Sequence, residues 1–237
     1  MYLVNFASGE KYVEVQKHQN SLLSPCVFNI FEYGDTWLHE SGFYERNKYI
    51  IEHSDTGVGF CSWKPQIILD AMNQVKDNEI IVYLDVVDHI NNQSFFPWVE
   101  WNVNNELNGR FIAKHDHFYN KQYTERDCFI GMGCDNAYYW DQLIIEAGTI
   151  AFKKNNENIN LLNEWASWCR MPEIICKDQN YYGQPNLPEF IEHRTDQSIL
   201  SNLCYRNKYK LELVNHCQSF IWYNWFEQGM NLTKHQK

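Results

Sequence analysis

Apolar and polar positions change their spacing several times along the chain, and each change marks an element. Residues 2–7 (Tyr-Leu-Val-Asn-Phe-Ala) form a short apolar run that predicts a buried strand. Ser8-Gly9 breaks it. Tyr12, Val13 and Val15 among polar spacers then predict a helix to Leu23. Val27–Phe31, after Pro25, predicts a second strand, Tyr33-Gly34-Asp35 a turn, and Thr36–His53 a helix-leaning stretch. Asp55-Thr56-Gly57-Val58-Gly59 reads as a loop, and Pro65 suits the first turn of a helix reaching about Val75. Ile80–Leu84 is an unbroken apolar run without alternation, the pattern of a strand covered on both faces, as in a parallel sheet.

Further strands are predicted at Phe111–Lys114 and Ile144–Phe152, where Gly148 permits close approach by another backbone or a ligand. Glu125–Met132 reads as helical. Asn156–Arg170 is amphipathic, with Ile159, Leu162, Trp165, Ala166 and Cys169 on one side. A Pro- and Tyr-rich loop covers 171–190, and Thr195 is placed to cap a helix from Asp196 to about Tyr205. Strands alternating with helices predict an α/β fold with a mostly parallel central sheet flanked by helices. One domain over residues 1–237 is expected, with 230–237 a frayed tail.

Composition narrows the function classes. Hydrophobic residues make up 44% of the 237 and charged residues 21%, which excludes wholesale disorder. No stretch approaches the roughly 18 apolar residues of a membrane span. Residues 1–10 lack the basic and long apolar regions of a signal peptide. A net charge of −10 argues against a nonspecific nucleic-acid binder. It still allows a phosphate-bearing ligand, because a bound divalent cation inverts the local field. None of the eight cysteines has C-x-x-C spacing, so reduced, mostly buried thiols in a cytoplasmic protein are expected.

Four constellations can carry chemistry. Asp85 and Asp88 follow directly on the Ile80–Leu84 strand, and ligands of α/β sheets bind beyond the carboxyl ends of strands. Two acids there suit Mg²⁺ or Mn²⁺ shared with phosphates, or else cap a turn and bind backbone amides. Gly57-Val58-Gly59-Phe60-Cys61-Ser62-Trp63-Lys64-Pro65 leads a glycine-containing loop into a helix start beside a lysine. That suits phosphate, or is a tight turn with a surface Lys; it is not a P-loop. Glu192-His193-Arg194-Thr195-Asp196-Gln197-Ser198 concentrates charge between apolar pairs and reads as a solvated face or a site against the core. Met132-Gly133-Cys134-Asp135 with Glu146-Ala147-Gly148 is the fourth, but no His is evident to make Cys134 a nucleophile.

In order along the chain, Gly57 to Pro65 and Val82-Tyr83-Leu84-Asp85 resemble the "GxGYWxWKP … YLD" core of a family of small glycosyltransferase-like proteins with the GT-A fold. That family occurs in bacterial surface-polysaccharide loci and large DNA viruses. Thr124-Glu125-Arg126-Asp127, Glu146-Ala147-Gly148 through Phe152-Lys153-Lys154, and the gapless run Pro188 to Ser201 match the same family, so the resemblance spans roughly residues 45 to 205. It implies transfer of a hexose or deoxyhexose from a nucleotide sugar, UDP-linked, to a glycan or protein-glycan acceptor, assisted by Mn²⁺ or Mg²⁺. In a virus the location implied is the host cytoplasm.

Asp85 matches the first acid of the family's Asp-x-Asp metal motif; Val87 stands at the second, and Asp88 is the nearest acid. Asp196-Gln197 resembles the catalytic Asp-Gln pair of retaining galactosyl- and glucosyltransferases. Substrate contacts are expected from Lys64, Trp63, Asp135, Glu146, Ala147, Gly148, His193 and Arg194. Trp63 and Tyr83 read more readily as core aromatics than as rings packed on the base or the sugar. The displaced second acid motivates an alternative, a non-catalytic sugar-nucleotide or glycan-binding module of the same fold. A metal-dependent phosphohydrolase is a further rival.

Overall fold

A computed structural model of the chain describes residues 1–55, 57–90, 92–177, 180–217 and 220–222. The expected tail at 230–237 lies outside the described residues. Strands β1 (Tyr2–Ala7), β2 (Asn29–Gly34), β3 (Ile80–Leu84), β4 (His89–Ile90), β5 (Arg110–Tyr119), β6 (Leu143–Lys153), β7 (Glu212–Leu213) and β8 (Ile221–Trp222) alternate with helices. Six of them form one sheet in the order β2-β1-β3-β6-β5-β7, while β4 pairs with β8. Strands β1, β2 and β3 are parallel, and β6 runs against both β3 and β5. With β7 parallel to β5, β6 alone opposes the other five, so the α/β sheet is mostly parallel in direction.

The unbroken apolar run of β3 has the expected cause. Ile80, Val82 and Leu84 face Phe95, Phe96, Val99 and Val103 of the helix Phe95–Asn105. Ile81 and Tyr83 face the opposite layer. There Ile67, Ile68 and Met72 of the helix Lys64–Asn73 meet Leu162 and Trp165 of Asn156–Trp168 and Leu200 and Leu203 of Thr195–Arg206. Both faces are therefore covered. Each fully buried aliphatic side chain contributes about 1.5–3 kcal/mol relative to exposure.

Several boundaries differ from expectation. The second strand lies at Asn29–Gly34 rather than Val27–Phe31, so Gly34 ends a strand instead of centring a turn. Thr36–His53 resolves into three short helices broken at Ser41-Gly42 and Asn47. Phe95–Asn105 is a helix the sequence reading passed over, because Pro97 and four aromatic residues mask its period; a proline in the first turn costs no hydrogen bond. Thr195 is no cap. It is the first helical residue, at φ 46°, and its hydroxyl donates to Asp196 Oδ1 at 3.3 Å.

All eight cysteines are reduced thiols, six of them buried. Among the described residues no helix is long and apolar enough to cross a membrane.

Candidate active site

Backbone contacts and one amide help to fix the turn after β3. The Asp85 N–H donates to the Gly148 carbonyl at 2.7 Å and the Asp88 N–H to the Asp85 carbonyl at 3.0 Å. Gln19 Nε2 donates to the carbonyls of both Asp85 and Asp88, at 3.0 and 2.7 Å. Gln19 is itself held by Asn5 of β1, so a buried amide chain steadies the acidic turn. The facing strand β6 bulges here. Ile112 pairs with Ile150, but the next β5 residue, Ala113, pairs with Glu146. Residues 147–149 thus have no β5 partner, and the extra backbone turns toward the site, as bulges beside active sites do.

Lys64 enters the same space from the other side. The loop before it is strained, with Phe60 and Cys61 at φ 53° and 60°, a region non-glycine residues seldom adopt. Lys64 opens its helix, yet its side chain is 4% exposed rather than on the surface. Its Nζ lies 3.2 Å from Asp196 Oδ2, 3.7 Å from Asp85 Oδ1 and 3.1 Å from the Ala147 carbonyl that the bulge presents. The Tyr83 ring lies 4.8 Å from the ammonium, and the Tyr83 hydroxyl donates to Asp85 Oδ1. Burial disfavours the Lys64 charge, but Asp196 and Asp85 outweigh it and hold its pKa above the ordinary lysine value. Burial pushes the Asp196 carboxyl up to about 6 despite the pull of Lys64. Burial likewise pushes the nearby Cys61 thiol up to about 12, which keeps it an inert thiol.

Gly148 sits at the meeting point of three carboxylates. A Cβ there would lie 2.7 Å from Asp88 Oδ2 and 3.0 Å from both Asp85 Oδ2 and Glu146 Oε1. Glu146 is held by the Gly148 N–H at 2.8 Å and by His115 Nε2 at 3.3 Å. Burial raises the Glu146 pKa, but His115 more than offsets this and leaves it below the ordinary value. Among the described residues no group of three or more His, Cys, Asp and Glu is arranged to hold a metal ion. Asp85 and Asp88 nonetheless fit a divalent cation in part: they supply hard oxygens around a space that only glycine leaves open. Its other ligands would come from a phosphate-bearing partner.

The structure therefore brings Lys64, Asp85, Asp88, Glu146, Ala147, Gly148 and Asp196 together. Gln197 follows on the same helix, and its amide makes no hydrogen bond with another described residue. The remaining expected residues sit differently. Trp63 is in the core, stacked on Phe6 with centroids 3.9 Å apart, its Nε1 donating to the Val58 carbonyl. Asp135 pairs with Arg126 at 2.5 Å and accepts from Trp140 Nε1. Arg194 pairs with Glu192 at 2.5 Å over the Tyr123 ring. Gln19 and His115 join the site without a local sequence signal, because each arrives from a distant element.

His193 is a brace. Its Nδ1 accepts the Glu125 N–H at 3.2 Å, so Nε2 carries the proton donated to the Ile174 carbonyl at 3.0 Å. Burial pushes its pKa down to about 4 from 6.5. The unfolded chain takes up this proton near pH 6.5 and the folded chain only near 4, so the brace's stability is lost as pH falls through that window. Asp196 acts oppositely there, since its folded carboxyl binds a proton at a higher pH than the unfolded one. Urea melts of the wild type and His193→Gln separate the two. The stability difference between them should shrink by about 2 kcal/mol from pH 6.5 to 4.5. A constant difference would mean that His193 takes up its proton as readily in the fold as in the unfolded chain.

No protein-family model matches the chain, and no curated protein matches it. Solved structures do match. Mouse xyloside xylosyltransferase 1 aligns over 90% of this chain and 84% of its own, with TM-score 0.47 at 10% identity. The galactosyltransferase LgtC, in complex with donor and acceptor sugar analogues, aligns over 86% and 70%, with TM-score 0.41 at 10% identity. A glycosyltransferase involved in glycosylation of the major capsid of PBCV-1 aligns over 81% and 80%, with TM-score 0.39 at 12% identity.

Proposed function

We propose that this protein is a GT-A-type glycosyltransferase that moves a hexose or deoxyhexose from a UDP-linked donor to a glycan acceptor, with retention, in cytoplasmic polysaccharide synthesis. The observation that carries this reading is the buried Lys64 ammonium set between Asp85 and Asp196 beside the carboxyl end of β3. Departure of a nucleoside diphosphate separates charge at the glycosidic oxygen, so preorganised charge is what lowers the barrier. Asp85 and Asp88 would hold Mn²⁺ or Mg²⁺, which would supply positive charge against the diphosphate. Lys64 orients Asp85 and Asp196 and offsets their charge. Asp196, ionised above about pH 6, accepts hydrogen bonds from donor-sugar hydroxyls and faces the oxocarbenium-like centre. Gln197 offers its unengaged amide to the same sugar.

The test is release of free nucleoside diphosphate from a panel of UDP-sugars with Mn²⁺. Turnover should fall about tenfold per pH unit below roughly 6 as Asp196 takes up its proton. Asp85→Asn should abolish Mn²⁺-dependent donor binding in calorimetry with the fold intact, and Asp196→Ala should depress turnover more than donor affinity. Donor binding without release would instead identify a non-catalytic sugar-nucleotide-binding module. Phosphate release from simple phosphomonoesters would identify a phosphohydrolase.

A further inference from the structure

We infer that the cavity beneath the Pro- and Tyr-rich loop is a binding site for a neutral, hydroxyl-rich glycan. The cavity measures about 190 Å³ and is lined by Glu125, Asp127, Asn180, Gln184, Pro185 and Asn186. It accounts for a motif that the donor site leaves unused, Thr124-Glu125-Arg126-Asp127. The Asp127 carboxylate accepts the backbone amides of Tyr181 and of Tyr182, the latter at 3.1 Å. Asn186 Oδ1 accepts the Arg126 N–H at 2.7 Å. Three backbone amides thus join the loop to the helix Arg126–Gly131, and the cavity between them is formed in advance of any ligand.

Its chemistry selects the ligand. Among the described residues no Lys or Arg lines the cavity; two carboxylates and three amides do. A phosphate or carboxylate group would meet like charge there, which argues against a nucleotide or an acidic sugar. Carboxylates accept hydrogen bonds, and amides both donate and accept, which matches a ring of hydroxyls. The Asn180 and Gln184 amides make no hydrogen bond with another described residue, so they are available. Tyr181 and Tyr182 stand beside the cavity, 68% and 39% exposed, ring centroids 5.6 Å apart edge to face. Exposed aromatic rings with a polar tip offer an apolar face to the C–H side of a sugar ring.

The position suits an acceptor. Glu125, a wall of the cavity, donates its N–H to His193, three residues before Asp196. The role as acceptor site rests on the glycosyl-transfer reading; the binding itself does not.

The experiment applies the full chain, without added metal, to an array of neutral, sulfated and sialylated oligosaccharides. Neutral glycans should be captured. Tyr181→Ala combined with Gln184→Ala should weaken capture at least tenfold, with the melting temperature and Mn²⁺-dependent UDP binding unchanged. Tyr181→Phe should retain capture, and Gln184→Ala alone serves if the double variant misfolds. Capture of anionic glycans only, no capture, or capture indifferent to these substitutions overturns the inference. Intact UDP binding without glycan capture sinks this inference alone. Glycan capture with no donor turnover sinks the transfer reading alone.

Discussion

Replacing Lys64 with Met should destabilise the protein by about 3–5 kcal/mol and remove sugar transfer. The methionine fills much of the volume, so the loss is electrostatic. Asp196 and Asp85 both face the ammonium, and without it two partly or fully buried carboxylates stand uncompensated. One answer open to the protein is to protonate Asp196, whose pKa of about 6 should climb further. That disarms the residue proposed to face the sugar. Melting should fall by roughly 10 °C at neutral pH, and the deficit should narrow toward pH 5 as the proton goes on. Lys64→Arg should not rescue activity, since a planar fork cannot occupy the place of a compact ammonium among three oxygens. An unaltered melting temperature in Lys64→Met would show that the charge is not held between these acids.

Gly148→Ala should separate function from stability. The new methyl carbon meets carboxylate ends, Asp88 Oδ2 at 2.7 Å first among them, and not backbone. Side-chain ends swing aside at small cost, so the fold should lose no more than about 1 kcal/mol. The swing moves Asp85, Asp88 and Glu146 apart, and Mn²⁺-dependent UDP affinity should drop about 10- to 100-fold. Calorimetry with UDP and Mn²⁺ reads this directly. Equal affinity in the variant would remove these carboxylates from the ligand's surroundings.

Some of this molecule was legible in its sequence for clear reasons. The run Ile80–Leu84 announced a strand covered on two faces because no polar residue interrupts it, and Asn156–Trp168 announced a helix because Leu162, Trp165 and Ala166 recur at its period. Helix starts were harder. Thr195 carries the chemistry of a cap but lies inside the helix, since Ser198 Oγ already accepts the Arg194 N–H. In the site, Asp85, Lys64 and Asp196 could be nominated from local spacing and the family resemblance. Their mutual contact could not, because it depends on how the helices Lys64–Asn73 and Thr195–Arg206 pack beside the end of β3. His115 and Gln19 were invisible for the same reason: an isolated polar residue says nothing about the element it will meet.

The bulge in β6 also sets how the chain tolerates changes of length. Side chains alternate sides along a strand, so deleting one residue of Ala147-Gly148-Thr149 would slip the register and invert every side chain on one flank. Ile144 and Ile145 would exchange layers, and Glu146 would turn from the acidic turn to the opposite layer. Point changes in this segment should be survivable, whereas single-residue indels should be lethal to the fold.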